Sequence, residues 1–333
     1  MPPRGRVART RAPPLRSRGP RAWGAAPASV KRLHVHSIAD ASALIYIRHL
    51  RTFLLWAVSM GRENDTDFDE LLSCYFEFAC YTLGQHVTVG ATAYAALKWL
   101  EPALVLPHAK RSLVGWERLG QRTEKHGVSE EIIGLVVMTL LSLGHIEAAE
   151  LVALAFDAYP RLVELRSMRV QDVYCARVGD DFHVALSLGP RLRGESTKTG
   201  SDQGVRVDRP WVQALLMRRL KRRVAADRVF PSFGGKKGYA RFLTIWAQAT
   251  AAAGVSWIGG PHVLRHSGAS NDLLHSRRTL KEVQLRGRWK VLDSVRRYGK
   301  THFLVQSNAR LEEAVLQRGR RFWDDPLSFF ICR

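Results

Sequence analysis

The stretch at 132–144, IIGLVVMTLLSLG, constrains the fold more than any other part of this chain. It is apolar nearly all round, so it has no polar face to leave in water. Glu130 and Glu131 close it on one side and His145 on the other. Its length falls short of a bilayer span and suits a helix buried in a core. Other elements must therefore wrap it, and 333 residues, 46% of them hydrophobic, are enough to do so. No other apolar run is longer, so no segment is expected to span a bilayer, and a membrane is not among the expected partners.

Hydrophobic spacing predicts the wrapping. Residues 43–60 carry apolar side chains three and four apart, a helical period. Residues 66–70 lead into a second such segment at 71–83, and 94–100 continue the pattern. The region 36–120 is expected to form an all-helical domain of four or five helices. Residues 115–129, GWERLGQRTEKHGVS, are polar and interrupted by glycine, and read as the connection to a second domain at 128–305. There, helices at 131–143 and 145–156 lead to 174–188, YCARVGDDFHVALSL, read as two short strands around a Gly-Asp-Asp turn. A polar hairpin-like segment at 197–207 and a basic helix at 211–224 follow, then helices at 238–253, 262–274, 280–286 and 294–298. The expected fold class is mainly α with a small antiparallel sheet, a helical N-terminal domain preceding a mixed α/β domain. The chain shows no internal repeat.

The charge narrows the partner. A net charge of +21 strains a compact chain by self-repulsion and suits a polyanion. Nucleic acid leads, with an anionic membrane surface second. Residues 1–35 are rich in Arg, Pro, Ala and Gly, with no acid before Asp40, and are expected to be a disordered basic arm. Such an arm fits a phosphate-binding tail, a nuclear localisation signal, an organellar transit peptide or a plain tail. Cys74, Cys80, Cys175 and Cys332 are too widely spaced for a zinc site or a disulfide framework. They read as reduced thiols of an intracellular protein.

One string has the makings of a phosphodiester site. In His262-Val263-Leu264-Arg265-His266-Ser267-Gly268, helical spacing puts 262, 265 and 266 on one face, an imidazole beside a guanidinium. A guanidinium fork holds two phosphate oxygens at once. Metal-free attack on a phosphodiester needs two such groups, a general acid and a nucleophile. Taken alone, the string is equally a basic helix face in an arginine-rich protein.

With this string the chain resembles the tyrosine recombinase (phage integrase) family, whose second signature box reads His-x-x-Arg-His. Upstream, Arg161-Leu162-Val163-Glu164-Leu165 is similar to the family's first box, with Met168 where the family has Leu and Asp172 present. Between the boxes, Lys198 in Ser196-Thr197-Lys198-Thr199-Gly200 looks like the family's hairpin lysine. Downstream, Gly287-Arg288-Trp289 precedes Arg297-Tyr298, and Trp289 stands nine residues before Tyr298, as a His or Trp does in the family. The resemblance covers roughly 150–302. The helical 36–120 region resembles the family's core-binding domain in size and position only.

The resemblance implies a site-specific recombinase or integrase, of the kind that mobile elements encode, that cleaves and rejoins DNA through a 3′-phosphotyrosine intermediate. It implies the catalytic set Arg161, Lys198, His262, Arg265, Trp289 and Tyr298. Arg161 and Arg265 clamp the phosphate, His262 takes a proton and Lys198 gives one. Trp289 donates its indole N–H, and Tyr298 is the nucleophile. No cofactor or metal is expected. Glu164 reads as a structural partner of Arg161, and His266 as a packing residue. Lys198, in a Thr-Gly setting, is equally a solvated turn residue. The implied partners are double-stranded DNA and three further copies, in a homotetramer on DNA. The segment at 306–333, with an amphipathic helix at 308–318 and an apolar end at 327–332, would dock on a neighbouring subunit or on its own domain. Two other outcomes stay open: a non-cleaving DNA-binding protein of the same fold, and a type IB topoisomerase-like enzyme. The compartment is expected to be intracellular, the nucleus in a eukaryote, or an organelle.

Overall fold

The computed structural model describes residues 37–38, 40–120, 126–179, 181–195, 197 and 199–331. The basic arm at 1–35, Lys198 and Cys332 lie outside the described residues. The chain divides into two compact units, Met1–Thr123 and Glu124–Arg333.

The first unit is helical. Its helices are α1 (Asp40–Ser59), α2 (Phe68–Glu77), α3 (Thr88–Leu100) and α4 (Pro107–Leu119). Asp67 starts α2, its carboxylate accepting from the N–H groups of Asp69 and Glu70 at 3.0 and 3.1 Å. The helix then runs into a π-helical turn, Phe78–Thr82. Phe53, Trp56, Leu72, Tyr75, Phe76 and Trp116 fill the core. One expectation is corrected here: the stretch read as a linker from 115 is helix as far as Leu119. Pro107 pre-sets the first turn of α4. The orphan N–H groups of His108 and Ala109 are met by the Asp69 carboxylate at 2.9 and 2.8 Å. A cap supplied from the far side of the domain leaves no local sign in the sequence.

The second unit is built around α5 (Glu130–Ser142) and α6 (Ile146–Ala158). The apolar 132–144 run is indeed core: Ile132, Ile133, Val136 and Leu140 are fully buried. After α7 (Leu162–Ser167) come β1 (Val173–Val178), β2 (Asp181–Leu188) and β3 (Gln203–Val207). They form one antiparallel sheet in the order β1-β2-β3, with Cys175 opposite Val184 and Leu186 opposite Val205. Val184, Leu186, Val205 and Val207 turn one face of the sheet to the core. Alternate residues of β2 and β3 are buried, whereas Tyr174 to Arg177 of β1 are exposed.

Helices α8 (Pro210–Leu220), α9 (Gly235–Ala252), α10 (Val263–Leu274), α11 (Leu280–Gly287), α12 (Asp293–Arg296) and α13 (His302–Asn308) complete the enclosure. Helix α8 stops at Leu220, short of the expected 224. A 3-10 turn, Arg297–Gly299, follows α12, where a single helix was expected over 294–298. The amphipathic helix expected at 308–318 is displaced: residues 309–312 interrupt it, and α14 runs Glu313–Asp324 before α15 (Ser328–Ile331).

This C-terminal segment lies on its own unit. Leu316, Phe322 and Phe330 are buried in the main core, and the Trp323 indole donates to the Glu130 carbonyl at 2.7 Å. The contact is tight because it is built on glycine. A Cβ on Gly319 would sit 2.1 Å from the Glu131 carbonyl oxygen, and one on Gly134 2.5 Å from that of Gly319.

Candidate active site

Helix α10 carries the His-x-x-Arg-His string into the interior, and Gly268 explains how. A Cβ there would lie 2.1 Å from the Phe156 carbonyl oxygen, so only glycine lets α10 cross α6 this closely. Polar groups also tie α10 to the segment before α5 and to the end of α6. The Ser267 hydroxyl accepts from the Val128 N–H at 2.9 Å, and the Asn271 amide donates to the Val128 carbonyl at 2.9 Å. Tyr159 ends α6 in the left-handed conformation (φ 51°), and its buried hydroxyl donates to Asp272 on α10.

Arg265 is the centre of the arrangement and only 4% exposed. Its Nη1 donates to the Tyr159 carbonyl and its Nη2 to the Gly287 carbonyl, fastening the ends of α6 and α11. Its guanidinium lies 4.3 Å from the centre of the Trp289 ring. Burial, then the neighbouring charges of Arg161 and Arg288, push its pKa down to about 10. It stays protonated at neutral pH. A buried cation crowded by like charges is held ready for an anion. Each terminal nitrogen retains a second N–H beyond the one given to a carbonyl.

Arg161 stands just before α7. The Glu164 carboxylate accepts from its backbone N–H at 2.7 Å and from its Nη1 at 2.9 Å. Glu164 also takes both terminal nitrogens of Arg288, at 3.2 and 2.7 Å. Burial pushes the Glu164 carboxyl up, but these guanidinium bonds and charges outweigh it, and its pKa lies below the usual range. Arg161 and Arg288 thus share the Glu164 carboxylate, and with Arg265 close enough to feel their charges, three guanidinium groups stand against one carboxylate in a mostly buried cluster.

Tyr298 sits in the 3-10 turn after α12, 3% exposed. Its ring packs between Trp289 at 4.8 Å and His266 at 5.1 Å. Arg297 Nη2 donates to its hydroxyl at 3.2 Å. His126, Ser270, Arg297, Lys300 and Phe303 line a small pocket beside it. His262 is exposed at the start of α10, its ring 4.8 Å from that of His266. Burial, with the positive groups around it, pushes His266 down to about 3, so it is neutral at physiological pH. A chain of rings and guanidinium groups therefore joins Arg265 to Trp289 and Trp289 to Tyr298, with His262 reached through His266. Arg161 joins this set through Glu164 and its charge on Arg265. Lys198 is not among the described residues. Its sequence neighbours Thr197 and Thr199 give their hydroxyls to Gln203 Oε1 at 2.9 and 2.7 Å.

The other arginines near the site divide. Arg286 bonds Asp208 at 2.7 Å and the Asp157 carbonyl at 2.8 Å, with its ring partner Tyr159 5.1 Å away. Arg296 pairs with Asp293 on the surface at 3.1 Å. On α8, Arg219 turns inward to Glu150 and is 11% exposed, and Arg218 reaches the same carboxylate at 3.3 Å. The basic helix read as a phosphate track or a solvated face is therefore partly an internal ion-pair element. Sequence reasoning did not single out Gln203, whose role depends on partners brought together only by the fold. No cluster of three or more His, Cys, Asp or Glu suited to a metal ion occurs among the described residues. No described helix is long and apolar enough to cross a membrane.

Neither a protein-family model nor a curated protein matches the chain. Solved structures do. The chain is similar to the XerH site-specific recombinase bound to a palindromic difH substrate in a post-cleavage complex. That TM-score is 0.59 at 18% identity, over 84% of this chain and 80% of the other. It is also similar to the Tn1549 transposon integrase in complex with transposon right-end DNA. There the TM-score is 0.52 at 11% identity, over 84% of this chain and 99% of the other. Likeness at these identities establishes the fold alone, mainly α with one small antiparallel sheet, shared with these two structures.

Proposed function

We propose that this chain is a site-specific DNA recombinase or integrase that uses Tyr298 as its nucleophile. The observation that carries the reading is the cluster of Arg265, Trp289 and Tyr298 in one basic, buried site, with Arg161 beside it, on a fold shared with recombinases. In the proposed step the Tyr298 oxygen attacks the scissile phosphorus and gives its proton to His262. The bond to the 5′ oxygen breaks, and that oxygen takes a proton from Lys198. A 3′-phosphotyrosine forms, and attack by a 5′ hydroxyl reverses each transfer and rejoins the strand. The number of phosphodiester and phosphotyrosine ester bonds is conserved throughout, so the exchange needs no outside energy. Arg161 and Arg265 meet the charge that builds on the non-bridging oxygens, and the Trp289 indole N–H donates to one of them.

Double-stranded DNA is the proposed substrate, and the net charge of +21 supports it. Assembly into a homotetramer on DNA belongs to the same proposal. Exposed Leu285, Val291 and Val305, flanking the tyrosine-bearing turn in sequence, give protomers apolar surface to share. The nucleus, in a eukaryotic cell, is the proposed compartment.

Nicked duplexes with randomised flanks test the reading, because the cleaved end diffuses away and traps the intermediate. The protein should form an SDS-resistant adduct in a chelating buffer, and Tyr298→Phe should form none. An adduct that survives in Tyr298→Phe removes this assignment.

A further inference from the structure

Arg288 is placed where a side chain is costly. It caps α11 in the left-handed conformation, φ 58° and ψ 39°, where an ordinary L-residue costs about 1 kcal/mol against glycine. Yet its guanidinium is not released to solvent. The side chain is 6% exposed and grips Glu164 with both terminal nitrogens. Its Nη1 also reaches Gln203 Oε1 at 3.3 Å. That same oxygen receives the hydroxyls of Thr197 and Thr199. One guanidinium thus ties α7, which Arg161 precedes, to Gln203 at the start of β3.

The charge arithmetic gives the tie a purpose. Glu164 faces both Arg161 and Arg288. Without Arg288, its whole charge and all its lone pairs fall to Arg161. A carboxylate fully paired with Arg161 competes with the phosphate that Arg161 is proposed to hold. With Arg288 in place, the Glu164 charge is divided, and Arg161 keeps a surplus for an anion.

We propose that Arg288 is a positioning residue for strand cleavage, which occupies Glu164 so that Arg161 remains available to the scissile phosphate. This rests on the recombinase reading above. In this proposal Arg288 acts through Glu164 and Gln203, to which its terminal nitrogens are given.

The test uses the full chain, nicked duplexes with randomised flanks, and two separate readouts: the rate of adduct formation and the affinity for the same DNA. Arg288→Gly removes the guanidinium and relieves the backbone strain. It should slow adduct formation about tenfold to a hundredfold, the scale of a displaced catalytic group, with DNA affinity unchanged. Arg288→Lys keeps the charge but cannot grip Glu164 and Gln203 together, and should fall between. Combining Arg288→Gly with Glu164→Gln removes the competing charge and should restore most of the rate. A purely structural role predicts no such rescue of rate. Wild-type cleavage by Arg288→Gly, or a double variant as slow as Arg288→Gly, overturns the proposal while leaving the recombinase reading standing. If Arg288→Gly does not fold, Arg288→Lys alone and with Glu164→Gln carry the comparison. A wild-type protein that forms no Tyr298-dependent adduct removes the recombinase reading, and this proposal with it.

Discussion

Arg265 serves two masters with one fork. Its terminal nitrogens hold the carbonyls of Tyr159 and Gly287, and their remaining N–H groups are the ones proposed to meet phosphate. Arg265→Lys should therefore fail on both counts. The adduct rate should drop about a hundredfold to a thousandfold, and urea unfolding should show a loss of about 1–3 kcal/mol from a carbonyl left unpaired. A variant that loses rate at full stability would show that the carbonyl bonds are dispensable. His266 makes a pH prediction. Its folded pKa is about 3, below the ordinary 6.5, so between those values the unfolded chain binds the extra proton. Stability should fall as pH drops from about 6.5 to about 3, by at most about 1.4 kcal/mol per unit from this group. His266→Phe should flatten that limb in acid titration monitored by circular dichroism, and an unchanged slope would refute the assignment. At this scale the sequence made residue types and spacings legible. Arg161, Arg265, Trp289 and Tyr298 stand out because their order and intervals are linear facts. Gln203 and the double grip of Arg288 on Glu164 do not, because each partner is far away along the chain.

Among elements, the α14–α5 contact is the sharpest. Gly319→Ala places a methyl 2.1 Å from the Glu131 carbonyl oxygen, so the helices must part. Thermal unfolding should show a loss of about 1–3 kcal/mol, the scale of core overpacking. No change would mean that the C-terminal segment lies elsewhere in solution, as in an exchange between subunits. The strands and most helices were legible because burial on one face writes its period into the sequence. The cap of α4 by Asp69 and the break at 309–312 were not. The first is a contact across the domain, and the second interrupts a pattern whose apolar period continues on either side.

Across the molecule, a large positive charge is partly spent inside. Glu130, Asp157, Asp208 and Asp272 are paired with Arg209, Arg277, Arg278 and Arg286. Arg286 is 9% exposed in this network, so it is expected to hold the fold and not the DNA. Arg286→Met should destabilise the protein by about 1–3 kcal/mol, the cost of leaving the Asp157 carbonyl without its donor, because Asp208 keeps Arg278. It should leave the slope of DNA affinity against salt unchanged, whereas a phosphate contact would lower that slope by about 0.9. The overall basicity was plain in the sequence, but which arginines face a partner and which face a carboxylate is a property of the folded chain.

The central claim is that Tyr298 becomes bonded to DNA, and peptide mapping tests it most directly. The adduct trapped on nicked duplex is digested with nuclease and protease, and the peptide bearing the residual nucleotide is sequenced by mass spectrometry. The account predicts a phosphodiester on the Tyr298 side chain and on no other residue. A nucleotide on a different tyrosine, or on a serine, would contradict it.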